Sequence, residues 1–515
     1  MFVYKYKQKG RTYAEVCKSS RDPVTKQPRR HVVRSLGRVI DFDKMLFHSV
    51  ALGTYHYNVE NDTCEPVKSD EIVELEDARR KPPPLTLDFG NTYVIDHLIK
   101  QSNLDTCINA AQCRRPEALY ALINYYVLER EPNSRAEEWY IGNVARLIYP
   151  GASLSSQVVS TLIGELGDEA LQQRFFKEYL QYCLHLEKPA TSMLIDSTGL
   201  PNSIHFPLTA ISNHNGKLSN EVRLIYVVDQ NTGLPVYFRY VAGNIIDVST
   251  LTATIAELSR QGLKPQFLIL DAGYYSSEGF ESLMQQDIAF VTRAGYGLKL
   301  YKDLMKEHVP GLRDRKYLTQ YNGRLIYIKK VPCKLCGRAI FGYVCLDVAG
   351  YNDVSRNIDE AVKAGKISLN SAHERLEEAG YFLILSSKDV PPALIMTTYY
   401  TRQSVEQIFD LAKNYANMEP VRVHDEQHLR GHLFVAFIAT VILRLLQMSA
   451  LRASRNMLDM LYGLRNQKCI VYDDGGIVIT EPTKKANYCY KMFNMRSPVS
   501  IDSSALRSQN LPHGN

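Results

Sequence analysis

The sequence predicts an α/β protein with a β-rich N-terminal segment, and three observations support this class. The first forty residues alternate between apolar and basic side chains, which is typical of short strands. A helical pattern of apolar residues runs from Thr92 to Leu186. Two apolar runs of strand length follow, Ser192–Gly199 and Gln266–Gly273, and each ends in Asp followed by small residues and Gly.

The N-terminal segment, residues 1–65, is predicted to form a basic, β-rich domain. Within its first forty residues, the alternating positions predict a meander of three short strands with basic side chains on one face. An acidic and then basic run from Glu71 to Lys81 ends in three consecutive prolines. This run predicts a linker or a domain edge.

Residues 85–186 are predicted to be a helical region. Pro116–Tyr126 is its clearest helix, and Ser155–Gly164 is a candidate recognition helix. A helical DNA-binding unit fits this pattern, and ordinary helical packing fits it equally well.

The two Asp-bearing runs lie in a predicted α/β domain that is formed by residues 190–298 and 386–450. After the first run, the patterns predict two strands, a helix, the second Asp-bearing strand, a helix and a strand, at 222–229, 234–241, 248–261, 266–273, 279–286 and 288–293. Asp196 and Asp271 would then project from the C-terminal tips of buried strands. Each aspartate taken singly could equally cap a turn.

Residues 299–385 exceed what such a domain needs and predict a mainly β insertion. Asn322 and Gly323 predict a type I′ turn between two strands, because both residue types accept positive φ angles. Basic side chains and tyrosines are interleaved along this hairpin. A C-terminal region, residues 451–515, completes the chain.

A stripe of polar side chains is predicted on one helix within residues 386–450. At about 100° per residue, one face holds, within an arc of about 60°, Tyr399, Arg402, Glu406 and Lys413. Apolar residues of the same segment point elsewhere and would anchor the helix in a core. A lone Glu on such a helix is most often a solvated carboxylate, but the two upstream aspartate motifs favour a shared site.

These motifs resemble those of DDE transposases of the insertion-sequence class. The signature of that class is Tyr, two residues, Arg, three residues, Glu, six residues and Lys, and all four signature positions match here. Asp196 in Asp-Ser-Thr-Gly and Asp271 in Leu-Asp-Ala-Gly-Tyr-Tyr resemble the two aspartate motifs of the family. The resemblance implies a ribonuclease H-like catalytic domain with a triad of Asp196, Asp271 and Glu406.

The chemistry implied by this resemblance is cleavage and joining of DNA strands. Two Mg²⁺ or Mn²⁺ ions per active site would be held by the three carboxylates, with Asp196 as the bridging ligand. Arg402 and Lys413 would clamp phosphates, and Tyr399 would contact a base or a phosphate. The partners would be transposon ends and target DNA, bound by a homodimer.

Charge is distributed unevenly along the chain, although its net value is only +6. Residues 1–40 hold eleven basic and two acidic side chains, and residues 302–338 hold ten basic and three acidic ones. Such regions suit double-stranded DNA because each neutralised phosphate releases counterions; a solvated face is the alternative. We expect DNA contacts from Arg29, Arg30, Arg324, Lys329 and Lys330.

Cysteine usage and hydropathy predict a cytoplasmic protein without a membrane partner, and the DNA partner that the resemblance implies would associate it with the nucleoid. The ten cysteines are scattered, and no secretory leader precedes them, so reduced thiols are expected. Cys333, Cys336 and Cys345 offer only three thiols, so zinc is not expected. The apolar segment Leu433–Leu443 is too short to cross a bilayer and predicts a buried helix.

Two functions are compatible with these patterns. The first is an active DNA transposase that cuts at terminal repeats and joins the freed 3′-hydroxyl to target DNA. The second is a non-catalytic, transposase-derived DNA-binding protein that acts as a repressor or structural factor. The intact carboxylates favour the enzyme, because a binding module has no need of them.

Overall fold

The computed structural model describes residues 1–8, 11–22, 27–67, 84–202, 207–212, 219–245, 248–472 and 475–502. The chain divides into two compact units, Met1–Pro84 and Leu85–Asn515. The predicted linker from Glu71 to Lys81 lies outside the described residues, as does the tail after residue 502. Helices and strands together give the mixed α/β structure that the sequence predicts.

The first unit is an antiparallel meander in which each strand pairs with the next. Its strands are β1 (Phe2–Gln8), β2 (Arg11–Arg21), β3 (Pro28–Asp41), β4 (Leu46–Ser49), β5 (Gly53–Asn58) and β6 (Thr63–Pro66). The hydroxyl of Tyr55, in the small core, donates to the carbonyl of Leu36 at 2.8 Å. The three strands predicted within the first forty residues are confirmed as β1 to β3, and β4 to β6 extend the meander beyond them.

The second unit begins with a short strand, β7 (Leu85–Asp88), and then the predicted helical region. Its helices are α1 (Gly90–Gln101), α2 (Leu104–Ala110), α3 (Pro116–Leu128), α4 (Ala136–Ile141), α5 (Ala145–Ile148), α6 (Ser156–Leu166) and α7 (Glu169–Leu184). The predicted helix at 116–126 is confirmed as α3. The candidate recognition helix, α6, buries Val159, Leu162 and Ile163, so one of its faces belongs to the core.

A ten-stranded sheet forms the centre of the second unit. Its strands are β8 (Ser192–Pro201), β9 (Ala210–Ser212), β10 (Ser219–Asp229), β11 (Pro235–Ala242), β12 (Phe267–Leu270), β13 (Ala289–Arg293), β14 (Leu318–Tyr321), β15 (Arg324–Leu335), β16 (Arg338–Asp347) and β17 (Tyr381–Ser386). The order is β11-β10-β8-β12-β13-β17-β16-β15-β14, with β9 paired to β10. β12 pairs in parallel with both β8 and β13, and the other pairs are antiparallel.

The segment predicted as an insertion extends this same sheet. β17 pairs with β13 on one side and with β16 on the other. Asn322 and Gly323 have φ angles of 48° and 76°, as expected for the predicted turn. The expectation of a mainly β insertion is wrong, because the segment also holds α10 (Lys299–His308), α11 (Val348–Lys363) and α12 (Leu369–Glu378). The predicted domain boundaries after residue 85 stay predictions.

Helices cover both faces of the sheet near its first strands. They are α8 (Val248–Arg260), α9 (Ser277–Gln285), α13 (Pro392–Tyr400), α14 (Gln403–Tyr415) and α15 (Glu426–Arg452). On one face, the ring of Tyr226 lies 5.4 Å from Phe409 of α14 and 5.9 Å from Phe437 of α15. On the other face, Arg239 donates to Thr254 of α8 at 3.4 Å.

The long helix α15 lies in the core of the second unit. In the described part of the chain it is the one helix that is long and apolar enough to cross a membrane, with a mean hydropathy of 2.0. However, 72% of its apolar window is buried inside the protein. The prediction of a buried helix at 433–443 is therefore confirmed, and the helix is longer than predicted.

The C-terminal region forms a small second sheet with β7, in the order β20-β19-β18-β7. Its elements are α16 (Met457–Arg465), β18 (Lys468–Val471), β19 (Gly476–Ile479), α17 (Lys484–Met492) and β20 (Ser500–Asp502). The pairing of β18 with β7 holds the end of the second unit against its beginning.

We predict that Phe437→Ala destabilises the second unit by about 3–5 kcal/mol. The Phe437 ring lies 5.3 to 6.5 Å from five other aromatic rings, so its loss opens a cavity among them. The free energy of unfolding in urea measures the effect. Leu451→Ala, on the same helix but 61% exposed, is the control and should change that free energy by less than about 0.5 kcal/mol. Equal losses in the two variants would contradict this assignment of the core.

Candidate active site

Asp196 and Asp271 are brought together by the parallel pairing of β8 with β12. Ile195 and Leu270 are the last residues paired in this register, so the next residue on each strand is an aspartate. The expected position at a strand tip is correct for Asp271. It is wrong for Asp196, because β8 continues as far as Pro201 along the antiparallel strand β10.

The single helix predicted across the signature residues is interrupted at Thr401 and Arg402. Both residues keep right-handed helical φ and ψ angles, but the amides of Arg402 and Ser404 bond to carbonyls only three residues back. The hydroxyls of Thr401 and Ser404 also bond to nearby backbone carbonyls, and such bonds compete with the α-helical pattern. Tyr399 therefore lies on α13, whereas Glu406 lies on α14.

The ring of Phe409 holds α14 against the strand next to Asp196. It stacks on Tyr226 with an interplanar angle of 23°, and Tyr226 is the cross-strand partner of Asp196. Glu406 lies three residues before Phe409, which is almost one helical turn. This packing places the carboxylate of Glu406 at the end of the sheet where the two aspartates lie.

The guanidinium of Arg402 contacts all three carboxylates. Its Nη1 donates to Asp196 Oδ2 at 2.7 Å and lies 3.6 Å from Asp271 Oδ2. Its Nη2 lies 3.7 Å from Glu406 Oε1. The side chains range from buried to open, with exposed fractions of 13% for Asp196, 40% for Asp271 and 60% for Glu406. Burial lowers the pKa of Arg402, but the carboxylates outweigh burial and raise that pKa above its ordinary value.

Two hydrogen bonds orient the aspartates. The amide of Ser197 donates to Asp196 Oδ1 at 2.9 Å, and the hydroxyl of Tyr399 donates to Asp271 Oδ1 at 3.3 Å. Tyr399 is only 3% exposed, and burial together with the charge of Asp271 raises the pKa of its phenol. The phenol therefore stays a donor at neutral pH. The buried ring does not favour the predicted stacking on a base.

Lys413 contacts the backbone of β8. Its Nζ donates to the carbonyl of Gly199 at 2.7 Å and lies 3.0 Å from Glu419 Oε1. A Cβ at position 199 would come within 2.2 Å of Glu221 Oε2, so the side chain of Glu221 would have to move to accommodate one. Lys413 thus connects the end of β8 to the segment that follows α14.

Arg293 lies beside this site and was missed at the level of sequence. It follows Thr292, which pairs with Leu270, so it occupies on β13 the position that Asp271 occupies after β12. Its guanidinium donates to Tyr296 at 3.3 Å, and its charge acts to lower the pKa of Tyr399. No motif marks Arg293; its place at the end of a predicted strand was the available signal.

In the first unit, the two arginines expected to contact DNA lie on β3. Arg29 is 67% exposed, and its Nε lies 2.9 Å from Asp22 Oδ2. The guanidinium of Arg30 lies over the ring of Tyr4, 3.7 Å from its centroid. Both arginines are at the surface of that unit.

In the second unit, the basic residues expected to contact DNA lie on β15, near one edge of the large sheet. Arg324 Nη1 lies 3.2 Å from Asp347 Oδ2, and Lys330 forms an ion pair with Asp389. Lys329 Nζ lies 5.7 Å from the centroid of a tyrosine ring. Acidic neighbours therefore offset part of the positive charge of this hairpin.

The three thiols considered for zinc lie in different environments. Cys336 is exposed at the turn after β15, whereas Cys345 is buried on β16 and its Sγ donates to the carbonyl of Tyr343 at 3.3 Å. Burial raises the pKa of the Cys345 thiol, which disfavours the thiolate form that binds metals.

The donor set around Arg402 suits a hard divalent cation, because Mg²⁺ and Mn²⁺ prefer carboxylate oxygens. The three carboxylates already surround one cationic group, so this part of the fold accommodates positive charge. Within the described ranges, no three His, Cys, Asp or Glu side chains form a group that could hold a metal ion as they stand. The guanidinium of Arg402 lies among these three carboxylates. Fold and site together define an α/β protein with a carboxylate site where two adjacent parallel strands cease to pair with each other.

Comparison with protein families matches residues 188–442 to the transposase DDE domain, which supports a DDE transposase. The matched segment, just under half of the chain, contains Asp196, Asp271 and Glu406. No curated protein matches the chain. Among solved structures, a cryo-EM structure of the piggyBac transposase synaptic complex with hairpin DNA shows a weak likeness, with 10% identity and a TM-score of 0.40. That likeness covers 82% of this chain and 80% of the other.

We predict that the hydroxyl of Tyr399 stabilises the protein through Asp271 by about 1 kcal/mol. Tyr399→Phe removes this hydrogen bond and leaves the buried ring in place. A double-mutant cycle of urea unfolding with Asp271→Ala, which removes the acceptor, should therefore give a coupling energy of about that size. Tyr400→Phe is the matched control, because its hydroxyl makes no hydrogen bond among the residues that the structure describes. A coupling energy near zero for Tyr399 would show that the contact does not contribute.

Proposed function

We propose that this protein is a DDE transposase that cleaves DNA at transposon ends and joins the freed 3′-hydroxyl to target DNA. The observation that carries the proposal is the convergence of Asp196, Asp271 and Glu406 on one guanidinium. Asp196 lies on β8, Asp271 directly follows β12, and Glu406 lies on α14, so the three come from widely separated parts of the chain. All three lie within the segment that matches the transposase DDE domain.

The proposed fold of the catalytic domain is ribonuclease H-like. The order β8, β10, β11, α8, β12, α9 and β13 supports this, since it is the order that the resemblance implies, with the short strand β9 added between β8 and β10. The two Asp-bearing strands are neighbours in the sheet, and the Glu-bearing helix packs over β10.

The proposed cofactor is a pair of Mg²⁺ or Mn²⁺ ions, with Asp196 as the shared ligand and Asp271 and Glu406 each completing one ion. Such ions supply an activated water, a stabilised leaving oxygen and neutralised phosphoryl charge. The amide of Ser197 holds the carboxylate of Asp196 in position, and the phenol of Tyr399 holds that of Asp271. Of the three carboxylate side chains, that of Glu406 is the most exposed.

The proposed partner is double-stranded DNA, both as transposon ends and as target. Arg402 and Lys413 are proposed to bind phosphates next to the scissile bond, since guanidinium and ammonium groups pair with phosphate oxygens. Arg293 adds a third cation at the end of β13. The basic side chains of β3 and β15 are proposed to bind the flanking duplex. A homodimer in the cytoplasm, associated with the nucleoid, is proposed as the working form.

We predict that Asp196→Asn, Asp271→Asn and Glu406→Gln each reduce metal-dependent cleavage of the terminal-repeat DNA by more than about 100-fold. This is the upper range for the loss of an outer-shell partner, and these residues would be direct ligands. The substrate is a duplex with the inverted repeats that flank the gene, and the products are resolved on denaturing gels. DNA binding by each variant, measured in parallel, should remain within a few-fold of the wild type.

The matched control is Asp410→Asn, one turn beyond Glu406 on α14, where the carboxylate contacts Asn414. It should cleave like the wild type. If the wild-type protein binds the repeats but does not cleave them with either metal, the protein is a non-catalytic DNA-binding relative of the transposases. Full cleavage by the three variants would assign the chemistry to other residues.

A further inference from the structure

We propose that Arg402 is a displaceable counter-cation of the active site, in addition to any contact with phosphate. In the metal-free protein its guanidinium holds the three carboxylates together, and divalent ions must displace it from them. This inference rests on the proposed function, because it assigns the same three carboxylates to metal.

One nitrogen atom of Arg402 lies close to both aspartates. Nη1 of Arg402 lies 2.7 Å from Asp196 Oδ2 and 3.6 Å from Asp271 Oδ2. It therefore lies between the two aspartates, where a shared cation would bind. A metal ion and this nitrogen cannot occupy the same space, so the two cations compete.

The charge of the three carboxylates also requires a cation, which is Arg402 in the metal-free protein. Three ionised carboxylates in contact with one group would repel one another without a cation, and Arg402 supplies a single positive charge. Two divalent ions supply four positive charges to the same carboxylates and would repel the guanidinium. Arg402 and Asp196 are only 19% and 13% exposed, so solvent screens the interaction between them weakly.

The other nearby cations contact groups other than the three carboxylates. The ammonium of Lys413 is bound to the carbonyl of Gly199 and to Glu419. The guanidinium of Arg293 donates to Tyr296 and lies over the ring of Phe382 at 5.1 Å. Arg402 also lies in the turn between α13 and α14, so its release does not require either helix to unwind.

The consequence is that metal binding frees a guanidinium at the catalytic centre. A freed guanidinium can form bidentate bonds with a phosphate, which is the ligand that DNA brings to this site. Metal and DNA would then support each other's binding, since the first displaces Arg402 and the second provides its new partner.

The test measures Mn²⁺ binding to the full-length, metal-free protein without DNA. The electron paramagnetic resonance signal of free Mn²⁺ reports how much Mn²⁺ remains unbound. We expect Arg402→Gln to bind Mn²⁺ about tenfold more tightly than the wild type, at the lower end of the changes that neighbouring groups cause in metal sites. Arg402→Lys keeps a positive charge and should fall between the two. The unfolding temperature of Arg402→Gln should be lower than that of the wild type without metal, and Mn²⁺ should raise it by a larger amount.

Arg430→Gln is the matched control for loss of a buried, ion-paired guanidinium. Arg430 is 16% exposed and lies 2.7 Å from Glu169 and 3.2 Å from Glu426. This variant should lose stability but bind Mn²⁺ like the wild type. If Arg402 has a purely structural role, Arg402→Gln should likewise lose stability but bind Mn²⁺ like the wild type. That result would overturn the proposal.

Failure of the inference can be distinguished from failure of the proposed function. If the wild type binds Mn²⁺ and Asp196→Asn does not, the metal site is supported. Equal or weaker Mn²⁺ binding by Arg402→Gln would then reject only the competition. If neither the wild type nor Arg402→Gln binds more Mn²⁺ than Asp196→Asn, the proposed metal site itself is rejected, and the competition with it.

Discussion

The candidate site depends on the register between two parallel strands. Ile195 pairs with Leu270, and both strands continue directly into an aspartate. A shift of one residue would turn every side chain of one strand to the opposite face of the sheet. Asp196 and Asp271 would then no longer meet at Arg402. The apolar residues that precede them are fully buried, which fixes the register, so the packing of the core determines the geometry of the carboxylates.

The third carboxylate depends on aromatic packing. Phe409 stacks on Tyr226, and Tyr226 contacts Phe437 in the central helix. This chain of rings connects α15, α14 and β10, and Tyr226 is in turn the cross-strand partner of Asp196. The position of Glu406 is therefore set by packing in the core, although its own side chain is 60% exposed. Its exposure leaves room for a ligand, whereas the space beside Asp196 is occupied by the guanidinium of Arg402.

Local patterns predicted most of the elements that position the site. Apolar runs and turn residues were sufficient for β8, β12 and α15, because these elements are buried and their side chains report that burial. The interruption at Thr401 and Arg402 was missed, because it depends on hydroxyl groups that bond to the backbone, which helical periodicity does not detect. The extent of β8 was also missed, since its pairing with β10 carries it beyond Asp196.

Contacts between distant parts of the chain could not be predicted from local patterns. The grouping of the carboxylates was inferred from the resemblance alone, and the order of the elements only permitted it. Arg293 has no motif and acquires its place from the pairing of β13 with β12. The joining of β17 to β13 depends on residues about ninety positions apart, such as Val291 and Ser386. Composition and periodicity carry no information about such partners.

The continuous sheet also sets a length scale. From β12 to β14 there are five strand spacings, which at about 4.8 Å each amount to roughly 24 Å. A duplex rises about 3.4 Å per base pair, so this distance corresponds to about seven base pairs. Backbone hydrogen bonds connect every strand along this path, so the sheet fixes this distance. It holds the basic hairpin less than one helical turn of DNA away from the aspartates.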